Sequence, residues 1–334
     1  MTVRTIWFRT LALTSAVFIL TACTWMGFRD LPADQVDPQY LLPKSSFLEI
    51  NGNNVHYLLE GNRKAPVLVL IHGFTASLHT WDGWADELKD DFLILRFDVP
   101  GFGLSGPMPD AHDFSADYMC NIVEQLTKQL GINRFTVAGN SMGGYIAWNY
   151  AWRFPEKIEN LVVVDPMSYP QRLPAEIRAI SRPVGGAVAK RVTTRNMVSK
   201  SVAGAYGDPD NIQPGVEQRY FDLFLREGNR ASAVSIARKM ARLADSGYVS
   251  LGINEIRVPT LVMWGEQDTI TPFELIENWR QDLPGATYIT YPDLGHVPME
   301  EDPARTAADL RAYLQDNTER PTPAGETTGA LIPR

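Results

Sequence analysis

The stretch Gly139-Asn140-Ser141-Met142-Gly143-Gly144 sets one serine among three glycines. The apolar run FTVA precedes it and YIAWNYAWRF follows, so Ser141 falls where a strand pattern gives way to a helix pattern. G-x-S-x-G in that setting marks a nucleophile elbow, a sharp turn that thrusts the hydroxyl out over a sheet. The residues two before and two after the serine must be nearly without side chains there. Gly139 and Gly143 meet that need, and Gly144 lets the helix pack close. A serine capping a helix among incidental glycines would give the same letters, but the strand–turn–helix context argues for the elbow.

A serine hydroxyl is a poor nucleophile until a base takes its proton. On this kind of elbow the chain order is serine, then acid, then histidine. Of His56, His72, His79, His112 and His296, only His296 lies after Ser141; it sits in DLGHVPMEEDP, between the last strand pattern and the last helix pattern. Two carboxylates stand at strand ends in the interval. Asp268, in WGEQDTITP, holds the usual chain position of the acid, and Asp165, in VVVDP, is the alternative, its other role being to cap the turn that follows; Glu266 is a weaker neighbour. The oxyanion formed on attack needs two N–H donors: the Met142 amide directly after the nucleophile, and the Phe74 amide in HGFTAS. These contributions are main-chain, which leaves both side chains free to line a pocket. His72 and Gly73 shape the same turn.

Elements that hold such groups in place are legible along the chain. FLEI and VHYLLEG, joined by the turn-rich NGNN, read as a hairpin. PVLVLIHG is a continuous apolar run, the mark of a strand buried on both faces, and FLILRFD, RFTVAG, ENLVVVD, TLVMWG and TYITYP follow in the same style. Helical patterns lie between most of them: WDGWADELKD, ADYMCNIVEQLTKQLG, MGGYIAWNYAWRF, PFELIENWRQDL and PARTAADLRAYLQ. The alternation implies an α/β fold, a mostly parallel twisted sheet with helices on both faces. Between VVVDP and VPTLVMWG the rhythm breaks for about ninety residues, too long for a structureless loop, and the helical patterns there predict a small helical cap. The expected divisions are a core over 46–166 and 256–315, a cap over 167–255 and a polar, Pro/Gly-rich disordered tail over 316–334. No internal repeat is present.

The 334 residues carry 31 Lys and Arg against 39 Asp and Glu, a net charge of −8, which speaks against a nucleic-acid partner. The cap runs the other way, with 13 basic and 7 acidic side chains between 171 and 245. Such a surface suits either an anionic lipid or acidic product, or plain solvation. Residues 1–23 read as an export signal: Arg4 and Arg9, the short apolar run LALTSAVFIL, then LTAC ending at Cys23. LTAC resembles a bacterial lipoprotein box, which implies acylation of Cys23, a membrane-anchored protein of the cell envelope, and a tether over 24–45 that stands the body off the membrane. Thr24 lacks the aspartate that resembles an inner-membrane retention signal, which favours the outer membrane in a Gram-negative source. Cys120 then has no partner, and the body relies on its core.

HGFTAS, FDVPGFGLSG, GNSMGG, WGEQD and LGHVPMEEDP, in that order, resemble the α/β-hydrolase superfamily in its capped branch, over roughly residues 46 to 315. A serine nucleophile in place of aspartate speaks against dehalogenases and epoxide hydrolases. The resemblance extends to bacterial lipases and esterases and to the carbon–carbon hydrolases of aromatic ring-fission products. It implies a serine hydrolase with the triad Ser141, Asp268 and His296. Asp98 to Gly101 matches a family turn with a structural role. The first expectation is cleavage of carboxylic esters, lipid or small, with no metal and no organic cofactor. The alternatives are a carbon–carbon hydrolase using the same triad, and a non-catalytic surface lipoprotein that keeps the fold.

Overall fold

The computed structural model describes residues 27–109 and 114–318. A helix α1 (Ala33–Tyr40) leads into the antiparallel pair β1 (Ser46–Ile50) and β2 (Asn53–Gly61), followed by β3 (Val67–Ile71), α2 (Asp82–Leu88) and β4 (Leu93–Phe97). Next come α3 (Ala116–Gln129), β5 (Phe135–Asn140), α4 (Met142–Arg153) and β6 (Ile158–Val164). Five helices without a strand follow: α5 (Ala175–Ser181), α6 (Pro183–Ala189), α7 (Arg195–Ala203), α8 (Val216–Leu225) and α9 (Asn229–Ala244). The chain ends through β7 (Thr260–Gly265), α10 (Ile276–Asp282), β8 (Thr287–Tyr291), α11 (Pro298–Glu301) and α12 (Pro303–Thr318).

The eight strands form one sheet in the order β1-β2-β4-β3-β5-β6-β7-β8, antiparallel at β1/β2 and β2/β4 and parallel elsewhere. Alternation along each strand divides the core in two. Val69, Ile71, Val137, Val163 and Val262 face α3 and α4, whereas Leu68, Leu70, Ala138, Val162 and Leu261 face α2 and α12. The central strands are buried on both faces, as their unbroken apolar runs require. Helix α4, which starts at the elbow, has ten of its twelve residues buried and behaves as a core element. The sheet and helices expected from the sequence are present, and the 90-residue gap is the helical layer α5–α9.

Two expectations at the edges change. The tether expected over 24–45 is, from Gly27 on, docked onto the helical layer. Leu31 exchanges main-chain hydrogen bonds with Leu225 (2.8 Å) and Glu227 (2.9 Å), Asp30 pairs with Arg230 at 2.6 Å, and Asp37 takes both arms of the Arg226 guanidinium at 2.6 and 2.8 Å. Arg226 and Arg230 are nearly buried, so each removed carboxylate would leave an unpaired charge; that is what holds the segment down. At the other end, α12 runs to Thr318, past the expected start of the tail at 316. Cys23 and residues 319–334 lie outside the described residues. Among the described residues no helix is long and apolar enough to cross a membrane. Cys120 is buried, and burial pushes its thiol up to about 12.

Candidate active site

Ser141 sits between β5 and α4 with φ 56° and ψ −117°, a conformation that costs a non-glycine residue about 1–3 kcal/mol and persists only where the surroundings force it. The surroundings do so. A Cβ on Gly139 would lie 2.2 Å from the Gly143 carbonyl oxygen, and one on Gly143 would lie 2.1 Å from that of Ile71. The Ser141 amide is tied to the Val164 carbonyl at 3.0 Å, and its own carbonyl accepts from Tyr145 and Met167. Met142 is the first residue of α4, where an N–H has no carbonyl one turn back to bond. Phe74 lies in the turn after β3, beside Thr75, which is held at φ 60°. Ser141, Gly73, Phe74, Thr75 and His296 all line one cavity of about 210 Å³.

The imidazole and carboxylate come together from two loops at the carboxyl ends of β7 and β8. His296 Nδ1–H donates to Asp268 Oδ2 at 2.7 Å, and this leaves Nε2 as the ring atom able to take a proton. Asp268 Oδ1 accepts from the Ile270 and Thr271 amides at 2.7 and 3.0 Å, and the Thr271 hydroxyl donates to Oδ2 at 2.5 Å. These donors fix the orientation of the carboxylate toward the ring.

Asp165 stands beside this pair. It is fully buried at φ 46°; Oδ1 accepts from the Gly265 amide at 2.9 Å, and Oδ2 has no hydrogen-bond partner among the described residues. Burial first, then the neighbouring Asp268 charge, push its carboxyl well above the usual carboxylate range. Ligand atoms of Asp165, Asp268 and His296 lie within 4.8 Å of one another, spacing at which a cation can be held. Here the Asp268 and His296 atoms are engaged with each other, and Asp165 favours its proton.

His72 and His56 hold structural positions. His72 accepts from the Val99 amide at Nε2 (2.9 Å) and donates from Nδ1 to the Gly73 carbonyl (2.8 Å), and burial pushes its ring pKa down. His56 bridges Asp98 (2.8 Å) and Ser45 (2.7 Å). Asp98 also collects the Leu78 and Leu104 amides at 2.7 Å each, which gives the turn from Asp98 to Gly101 its structural purpose. His112 lies outside the described residues.

Several residues missed by sequence reasoning hold the loops in register. Asn140 Nδ2 donates to the His296 carbonyl at 2.9 Å and to that of Val164 at 3.1 Å. Glu301 accepts from the Gly295 amide (2.9 Å) in the histidine loop and from the Gly207 and Asp208 amides (3.0 and 2.8 Å) in the helical layer. Their signal lay in the motifs themselves, Asn140 inside GNSMGG and Glu301 inside LGHVPMEEDP. Above the site, Ile177, Ile180, Val198, Val202, Phe224 and Met240 give the cavity an apolar roof drawn from α5, α7, α8 and α9. Polar side chains, Glu176, Thr193, Ser201, Tyr206 and Tyr220 among them, interrupt it, and the Tyr206 hydroxyl is buried with no partner among the described residues.

A doubly covered parallel sheet with a serine elbow at its centre and a histidine loop after its last strand defines a class, and the comparisons agree. The chain belongs to the alpha/beta hydrolase family, whose family model matches residues 68–309. Lipase 3 of Moraxella sp. (strain TA144) is 28% identical over 269 residues, covering 79% of this chain and 82% of its own. Epoxide hydrolase 3 of Xenopus tropicalis is 21% identical over 281 residues, covering 80% and 76%. Among solved structures, a membrane phospholipase A described as a bacterial virulence factor superposes with a TM-score of 0.70 at 24% identity, over 93% of this chain and 99% of that one. The protein is a hydrolase of this family.

Proposed function

We propose that the protein is a serine esterase or lipase that cleaves carboxylic esters through Ser141, His296 and Asp268. The observation that carries the reading is the 2.7 Å contact between His296 Nδ1 and Asp268, with His296 and the strained Ser141 facing one cavity. Ser141 Oγ attacks the ester carbonyl carbon and its proton passes to His296 Nε2. Asp268 stabilises the imidazolium. The carbonyl oxygen, now negative, accepts from the Phe74 and Met142 amides. The intermediate collapses, the alcohol leaves with the proton from His296, and water, deprotonated by the same ring, releases the acid from Ser141.

The apolar roof suits an acyl chain, and two relatives carry the names Lipase 3 and Lipase 1. We further propose that acylated Cys23 anchors the protein in the cell envelope, in the outer membrane if the source is Gram-negative, where lipid esters are at hand. A series of p-nitrophenyl esters from acetate to palmitate tests the reading. Hydrolysis is expected, with kcat falling on the order of 10⁴-fold or more in Ser141→Ala. Turnover of a dienolic diketo acid with no ester cleavage would move the reading to carbon–carbon hydrolysis. Neither activity in a folded protein would leave the surface-lipoprotein alternative.

A further inference from the structure

We propose that the rim of the helical layer formed by α6, the Lys190–Thr194 turn and the first turn of α7 is the face this protein lays against an anionic lipid bilayer. The pocket then opens toward lipid. Gly27, the first described residue, lies on this rim. Gly27 is fastened beside the pocket: its carbonyl accepts from the Thr193 amide at 3.0 Å and from Arg230 at 3.1 Å, and Thr193 itself lines the cavity. Four peptide units separate Gly27 from Cys23, a span of at most about 14 Å in any conformation. A membrane attachment made through residues 1–23 therefore brings the surface around Gly27, this rim included, close to the bilayer. The docked 27–45 segment removes the slack that a free tether would supply.

The chemistry of the rim fits that neighbour. Val184 and Val188, one helical turn apart on α6, are 78% and 53% exposed, and Met197 on α7 and Phe28 beside Gly27 are 51% and 47% exposed. Between residues 175 and 203 there are six basic side chains, Arg178, Arg182, Lys190, Arg191, Arg195 and Lys200, against Glu176 alone. Apolar side chains framed by cations match the boundary between acyl chains and anionic headgroups. Met197 both stands exposed on the rim and lines the cavity, so lipid-facing surface and pocket are continuous.

The inference rests on membrane attachment through the N-terminal residues and not on ester chemistry, and its test separates the two. The full chain is reconstituted into phosphatidylethanolamine/phosphatidylglycerol vesicles, with an environment-sensitive fluorophore on Val184→Cys or, as the opposite pole, Lys128→Cys at the end of α3. The unsubstituted chain, which keeps Cys23 and the buried Cys120, gives the labelling background. Flotation with vesicles reports attachment, soluble-ester hydrolysis reports the site, and quenching by bromolipid reports the face. The expected result is co-flotation with quenching at least threefold greater at 184 than at 128, weakened in phosphatidylcholine vesicles and in Lys190→Glu/Arg191→Glu. Co-flotation with equal quenching at both positions, or more at 128, overturns the proposal while leaving the anchor standing. Quenching independent of lipid charge overturns its electrostatic half. Failure to co-float overturns both, and a blue-shifted, concentration-dependent signal at 184 without lipid assigns the face to a second copy.

Discussion

The main-chain amide of His296 donates to the carbonyl of Ala205 at 2.7 Å, so the loop that carries this imidazole is held by a residue of the helical layer. The contact is one of a set. Thr269, next to Asp268, donates its hydroxyl to the Gly204 carbonyl at 3.2 Å, and Glu301 joins the Gly295 amide to those of Gly207 and Asp208. Gly295 and Gly207 pack backbone to backbone, each leaving no room for a Cβ at the other. This corner of the layer thus helps to position His296.

Glu301 is the tie that binds both sides. In Glu301→Gln the amide NH₂ meets amides that need an acceptor, so part of the set is lost while the fold is retained. Hydrogen bonds to a buried charge contribute about 1.5–3 kcal/mol each, and a loss of about 3 kcal/mol in unfolding free energy is expected. kcat on a soluble ester should fall about tenfold or more with KM little changed, because the pocket walls are untouched. Thermal melts read beside steady-state kinetics check this, and an unchanged kcat would assign Glu301 to stability alone.

Asp165 and Asp268 differ in what they bond, the first the Gly265 amide and the second His296. Asp268→Asn should lower kcat on the order of 10³–10⁴-fold, as expected for loss of the group that orients the imidazole. Asp165→Asn, which keeps an acceptor for the Gly265 amide, should stay within about tenfold of wild type. The pH dependence has a definite sign. Asp165 binds its proton more tightly folded than unfolded, so its contribution is fully present below the unfolded carboxyl value of about 3.9 and is lost as pH rises toward its raised folded value. Asp165→Asn should therefore gain Tm relative to wild type between pH 4 and pH 8.

Asp98 shows the opposite sign. Burial pushes its carboxyl up, but the hydrogen bond and charge of His56 outweigh that and hold it at about 2. Its stabilisation is present above the unfolded value of about 3.9 and disappears as pH falls toward 2. Asp98→Asn should lose about 3–5 kcal/mol at neutral pH, the cost of breaking a buried pair, and should flatten the acid limb of the stability curve. Denaturant titrations at pH 3, 5 and 7 make the comparison.

Tyr206 lines the cavity, and its buried hydroxyl is without a partner among the described residues; burial pushes its pKa up, so it stays protonated. Tyr206→Phe should leave stability unchanged or raised. kcat/KM should fall about tenfold for esters with a polar alcohol group and much less for simple alkyl esters. Parallel kinetics on a glycerol ester and an ethyl ester of the same acid decide it.

Much of this was readable in the sequence because its causes are local or periodic. Val67–Ile71 announces a doubly buried strand by composition alone, and Gly139 and Gly143 mark the elbow because no other side chain fits. His296 followed from chain order. Which of Asp165 and Asp268 touches the His296 ring needed coordinates: both follow buried strands, and it is Asp268, held by the Ile270 and Thr271 amides, that lies against Nδ1. The docking of residues 27–45 left no local trace, since Asp30 and Asp37 find partners some 200 and 189 positions away. Long-range ion pairs of that kind have no period to detect.

The measurement closest to the central claim is labelling by a fluorophosphonate probe, with the modified residue located by mass spectrometry. One adduct is expected, on Ser141 Oγ, abolished in Ser141→Ala and slowed by orders of magnitude in His296→Ala and Asp268→Asn. A folded wild-type protein that takes up no probe, or takes it up elsewhere with Ser141 untouched, would contradict it.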